Sequence, residues 1–189
     1  MEETSYYGQL ETLINDVGGH ISPKVSCVLT TRNRGAGVPD GGLFVSSRAV
    51  ESAGHEAMVA RVPEQGAIEV KGPAKDVRRI ARTQQVRRYL KRYGKVLVTT
   101  YREFLVVNLG EDGEPVLAET FSLASDESSF WALTRTAHQV TSARESVFES
   151  FLMRALLGDA PLSQPADLAW FLAAYAREGR KRLDTRRST

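Results

Sequence analysis

The chain has 189 residues, 42% of them hydrophobic and 25% charged, with a net charge of +2; this is the make-up of a globular domain with a real core and names no function by itself. No apolar run approaches membrane-spanning length, and the acidic, polar start does not read as a secretory signal, so a cytoplasmic protein is expected. The single cysteine, Cys27, excludes a disulfide framework within one chain, and His20, His55 and His138 lack ligand-like spacing, which argues against zinc.

Leu10, Leu13, Ile14 and Val17 form an apolar stripe that predicts a helix from about Ser5 to Val17, stopped by Gly18-Gly19. Glu11 borders that stripe, either as a solvated helix carboxylate or as an acid facing a site. Lys24 to Thr31 reads as a strand with Val25, Cys27 and Leu29 on one face, the thiol in the core. A basic, glycine-containing loop follows, in which Arg32 and Arg34 are either solvated or suited to phosphate contact. Pro39-Asp40-Gly41-Gly42 then leads into an apolar strand, Leu43 to Val45. Between Ser46 and Gln65 the signal weakens to a candidate short helix, Ser47 to Ala60, and a turn, Val62 to Gly66.

Ala67 to Lys71 reads as a short strand in which Ile68 and Val70 alternate with Glu69 and Lys71. Glu69 and Lys71 therefore share a face, as a surface ion pair or as part of a site. From Lys75 to Lys95 there are nine Lys or Arg residues against one acid, Asp76. The hydrophobic phase breaks within this run. Val77, Ile80 and Ala81 share one face; Val86, Tyr89, Leu90 and Tyr93 lie roughly opposite. The break predicts a turn or two near Asp76–Arg82, then a helix from Gln84 to Tyr93 capped by Thr83 and stopped by Gly94. On that helix Gln85 and Tyr89 are one turn apart, placed either to orient the preceding strand or to touch a nucleic-acid backbone. Arg79, Arg82, Arg87, Arg88, Lys91 and Arg92 form its basic side, a solvated face or a phosphate-binding one.

Lys95 to Thr100 and Glu103 to Asn108 read as strands of a hairpin, and Pro115 to Leu123 as one more after the turn at Gly110 to Gly113. The remainder is expected to be helical. Ser125 or Asp126 caps a helix through about His138, and a second spans Ser142 to Leu157. After the linker Ala160 to Pro165, Leu168, Phe171, Leu172 and Tyr175 stripe a last helix whose far end, Arg177 to Arg187, is basic.

The ordered set Pro39-Asp40, Glu69-Val70-Lys71 and Gln85-x-x-x-Tyr89 resembles the PD-(D/E)XK nuclease superfamily. The wider run, from Tyr6-Tyr7 through Gly35-Ala36-Gly37-Val38-Pro39-Asp40 to Leu97-Val98-Thr99-Thr100-Tyr101-Arg102, is similar to the N-terminal nuclease region of large fused restriction–methylation enzymes. The resemblance implies an α/β (α+β) fold: a restriction-endonuclease-like core over residues 1–124, with a mixed central sheet flanked by helices, and a C-terminal helical extension over residues 125–189. It further implies a Mg²⁺-dependent DNA endonuclease of a restriction or phage-defence system, with Mn²⁺ as a substitute ion.

In that reading Asp40, Glu69 and the carbonyl of Val70 hold the ion, the hard-oxygen set that Mg²⁺ favours, and Lys71 stands beside the water and the scissile phosphate. Gln85 and Glu11 join the catalytic set, and Arg32, Arg34, Arg82, Arg88, Tyr89 and Arg92 contact DNA. Double-stranded DNA is the implied partner, with a methyltransferase or specificity domain or subunit, a transient homodimer for double-strand cleavage, and no membrane. The chain contains neither the Gly-rich strand of an S-adenosylmethionine site nor an Asn/Asp-Pro-Pro-aromatic motif. Two other readings stand beside this one: a non-catalytic DNA-binding or docking module with structural acids, and an end-processing or junction nuclease of the same fold.

Overall fold

A computed structural model of the protein describes residues 6–29, 39–45, 62–137 and 142–158, with the single positions 172 and 176. The loop bearing Arg32 and Arg34, the candidate helix from Ser47 to Ala60, the linker after residue 158 and most of the last expected helix lie outside the described residues. The elements are α1 (Tyr7–Gly19), β1 (Val25–Leu29), β2 (Gly41–Val45), β3 (Gly66–Val70), α2 (Val77–Ala81), α3 (Gln84–Tyr93), β4 (Lys95–Thr99), β5 (Glu103–Leu109), β6 (Pro115–Ser122), α4 (Glu127–Arg135) and α5 (Ser142–Leu157).

The strands form an open six-stranded sheet in the order β1-β2-β3-β4-β5-β6. Every neighbouring pair is antiparallel except β3 and β4, which run parallel and are joined by the α2–α3 crossover. The fold is therefore α+β with a mixed sheet. All five residues of β3 and of β4 are buried, as expected of central strands covered on both faces. Alternation sorts their side chains. Ile68, Val70, Leu97, Phe104 and Val106 pack with α1 and α5, whereas Ala67, Val96, Val98 and Leu105 pack with α2 and α3. Glu69, two residues from Ala67, falls on the α3 side.

The broken hydrophobic phase of the basic segment is realised as two helices. Asp76 caps α2 by accepting the N–H groups of Arg78 and Arg79, and Thr83 caps α3 through Val86 N. Gly94, at φ 75°, stops α3 in the left-handed region. Gly66 has φ 115°, and a Cβ there would come within 2.8 Å of the Lys95 carbonyl oxygen, so glycine is required where β3 enters beside β4. The helix expected to reach His138 ends instead at Arg135, because Thr136 turns out of helical geometry at φ −120°, ψ 30°.

Helix α5 supplies Phe151, Leu152, Ala155, Leu156 and Leu157 to the same cluster as α1, so this part of the expected extension packs as core. Lys95, buried at 4% exposure, donates to the carbonyls of Ala155 and Gly158 at 3.0 and 2.6 Å and satisfies the last turn of α5. Arg154, also buried, pairs with Glu119 and ties α5 to β6.

Strand β1 is a sheet edge, and α1 covers it with side chains. Asn15 donates to Cys27 O at 3.0 Å and accepts from Cys27 N at 2.7 Å, while Glu11 accepts from Leu29 N at 2.7 Å. Two polar residues one helical turn apart thus stand in for a missing strand and blunt an otherwise open edge. Burial, with the Glu11 charge beside it, pushes the Cys27 thiol well above its ordinary 9.0.

Removing this edge pairing tests it. Asn15→Ala leaves the Cys27 N–H and C=O unpartnered and is expected to lower stability by about 2 kcal/mol in denaturant titrations; an unchanged midpoint contradicts the pairing. Because the folded thiol pKa is raised, its contribution is intact below the ordinary thiol range and is lost as pH rises through the folded value. Stability of the wild type should therefore fall more steeply than that of Cys27→Ala between neutral pH and about 10.

Candidate functional site

Asp40 sits immediately before β2, and Glu69 and Val70 end β3. The antiparallel register, Gly41 opposite Ile68, brings Asp40 alongside the Glu69–Val70 end of β3. Its carboxylate then continues the ladder, with Oδ2 accepting from Val70 N at 2.8 Å. On the other side of β2, Gly41 lets β1 lie close: a Cβ would meet Val28 O at 2.6 Å and the Leu29 side chain at 2.4 Å. On the other side of β3, Lys71 N donates to Thr99 O at 2.9 Å, which fixes the Lys71 backbone against the end of β4.

Three oxygens from this frame surround one ammonium. Lys71 Nζ lies 2.8 Å from Glu69 Oε1, 2.8 Å from Val70 O and 3.5 Å from Asp40 Oδ2. The Glu69 side chain is only 2% exposed, whereas those of Lys71 and Asp40 are 30% and 25% exposed. A carboxylate that deep must be neutralised and hydrogen-bonded where it stands. Its second oxygen accepts from Gln85 Nε2 at 3.2 Å, and the same amide donates to Tyr89 Oη at 2.8 Å. The site therefore joins the ends of β2 and β3 to the first turns of α3.

The donor chemistry is that of a hard cation. Two carboxylates and a carbonyl, reached at present by an ammonium, form an oxygen set suited to Mg²⁺ or Mn²⁺ with water completing the shell. Among the described residues no group of three or more His, Cys, Asp or Glu side chains converges, so a bound ion there would depend on the Val70 carbonyl as well as on Asp40 and Glu69.

Asp40, Glu69, Val70, Lys71 and Gln85 come together; other expected members do not. Glu11 is engaged with the Leu29 amide at the outer edge of β1, one strand removed from Asp40, and serves the fold there. Tyr89, expected against DNA, has 1% exposure and packs in the core beneath α3, so its role is to hold Gln85. Burial above all pushes its hydroxyl above the ordinary 10.0, with the charges of Glu69 and Asp40 acting the same way against Gln85 and Lys71. It stays a neutral hydrogen-bond partner. Arg82 and Arg88 are exposed, and Arg92, also exposed, lies 5.4 Å over the Tyr93 ring. Arg87 is paired with Glu114 at 2.7 Å.

Sequence reasoning missed Thr99, whose carbonyl holds the Lys71 backbone, and Tyr101, which has φ 62°. Neither carries a motif. A positive φ on a bulky residue costs on the order of 1–3 kcal/mol and is invisible in the sequence.

The Lys71 ammonium is a counter-charge for Glu69 at 2.8 Å. Lys71→Met is expected to destabilise the protein by about 1–3 kcal/mol, below the cost of breaking a fully buried pair because Lys71 is partly solvated. Lys71→Met with Glu69→Gln should recover part of that loss in thermal unfolding. Additive losses contradict the pairing.

The sequence matches no protein-family model, and comparison with curated proteins and with solved structures returns no match either.

Proposed function

We propose that the chain is a Mg²⁺-dependent DNA endonuclease domain with a restriction-endonuclease-like core, working in a restriction or phage-defence system. The observation that carries this reading is the convergence of Asp40 Oδ2, Glu69 Oε1 and Val70 O on one cation-sized position. The order of elements supports it: a helix, three antiparallel strands with one acid just before the second and one on the third, a helical crossover, and a parallel strand. So does the resemblance carried by Pro39-Asp40, Glu69-Val70-Lys71 and Gln85-x-x-x-Tyr89.

In this mechanism Asp40, Glu69 and the Val70 carbonyl would hold the divalent ion, which would supply charge relief at phosphorus and an activated water. Gln85 fixes the Glu69 carboxylate, and Tyr89 fixes Gln85. Lys71 would then be free to offer its ammonium to a non-bridging phosphate oxygen as a point charge. Arg82 and Arg88, exposed on the α2–α3 crossover near Gln85, bind flanking phosphates of the polyanion. Double-strand cleavage by a domain with one such site calls for a transient second copy, and sequence choice calls for a methyltransferase or specificity partner.

One observation favours a second reading, a non-catalytic DNA-binding module. The Lys71 ammonium already satisfies the three oxygens without any ion, as in a purely structural ion pair. Metal binding separates the two. Calorimetric titration with Mn²⁺ should show one site in the wild type and none in Asp40→Asn. Cleavage of duplex DNA with Mg²⁺ should fall by at least about 10²–10³-fold in Asp40→Ala, Glu69→Ala and Lys71→Ala. DNA affinity that is indifferent to divalent ions and to Glu69, with no metal uptake, overturns the nuclease reading.

A further inference from the structure

The ends of β3 and β4 build a second feature beside the cation site. A cavity of about 310 Å³ opens between the start of α1, helix α4 and the sheet. The Lys71–Thr99 rung is the last hydrogen bond between the two strands' ends, and two residues beyond it each chain contributes a wall: Pro73 from one side, Tyr101 from the other. The cavity is thus at the same carboxyl ends of β3 and β4 as the site.

Its walls are aromatic. Tyr6 stands edge-on to Tyr101 at 5.8 Å and tilted against Trp131 at 6.3 Å, with Phe130 beside Trp131. Gln9 and Thr134 are the polar side chains that line it, and exposed Arg135 follows Thr134 in the same helix. Tyr101 reaches this position only through its left-handed backbone, φ 62°, which Tyr101 N to Thr99 Oγ1 at 3.0 Å and Thr100 N to Glu103 O at 3.0 Å hold in place. Tyr101 and Arg102 form the two-residue turn between β4 and β5, and the positive φ of that turn sets where the Tyr101 ring stands.

We propose that this cavity takes one unstacked nucleobase from the strand whose phosphate lies at Lys71. Aromatic rings set among Leu10, Leu13, Pro73 and Leu123, with few polar groups, offer a sequence-tolerant apolar seat for a base, and Gln9 and Thr134 are available to the base edge. Pro73, which lines the cavity, is two residues beyond Lys71, so a strand held at its phosphate by Lys71 would pass the end of β3 to bring a base to the cavity on the α1 and α5 side of the sheet. A strand that is single or locally unpaired then binds better than an intact duplex, because its base is already out of the stack. The inference rests on the reading of the neighbouring site as a phosphodiester site.

The test uses the full chain carrying Trp170→Phe, which leaves Trp131 as its one tryptophan. With Ca²⁺ present to fill the oxygen site, it is titrated with a short single-stranded oligonucleotide and with an abasic strand of equal phosphate count. The base-bearing strand should quench Trp131 fluorescence and bind about tenfold tighter than the abasic one. Tyr6→Ala, and Gln9→Phe at an exposed helix position that blocks the mouth without disturbing the core, should each abolish the difference and leave abasic binding unchanged. Equal affinities, no binding of either strand, or binding without a change at Trp131 overturns the proposal. Asp40→Asn separates this from the site reading. Base preference retained without any metal-dependent cleavage in the wild type sinks the nuclease alone; cleavage lost in Asp40→Asn without base preference sinks the cavity alone.

Discussion

A carboxylate with 2% side-chain exposure, Glu69, sets the terms for this end of the molecule. It is a residue of a central strand and almost wholly out of water, so its charge must be balanced by what the chain brings to it. Lys71 supplies the charge, Gln85 the hydrogen bond, and Asp40 completes the oxygen group around the ammonium. Three separate segments are thereby committed to one small volume, a costly arrangement for stability alone. Replacing such groups with apolar residues is often neutral or stabilising. That cost is the physical reason for reading the group as a cation site.

The parallel pairing of β3 with β4 makes the arrangement possible. Antiparallel neighbours can be joined by a tight turn, but this parallel pair needs a crossover, and the crossover is the basic α2–α3 segment. The same connection therefore delivers Gln85 to Glu69 and presents Arg82 and Arg88 to solvent nearby. On the opposite face α1 and α5 close the core, and Lys95 locks the end of α5 to the start of β4.

Much of the local structure is legible in the sequence because it is set by short-range patterns. The Thr83 and Asp76 caps, the Gly94 stop and the phase break between α2 and α3 follow from residue type and spacing. The shared face of Glu69 and Lys71 follows from strand period alone. The meeting of Asp40 with that face does not, since it depends on a register between segments separated in sequence by a stretch with little pattern. Glu11 shows the complementary failure: at a stripe border it looks available, but the bare amides of an edge strand claim it, and an edge cannot be identified before the sheet order is known. Tyr89 belongs by spacing to the apolar stripe of Val86, Leu90 and Tyr93, and that stripe decides its burial.

Anomalous diffraction from crystals of the protein soaked in Mn²⁺ tests the central claim most directly. The account predicts a single peak among Asp40 Oδ2, Glu69 Oε1 and Val70 O, with the Lys71 ammonium displaced towards solvent. Density that keeps the ammonium among those oxygens, with no manganese between the two carboxylates at saturating ion, contradicts it.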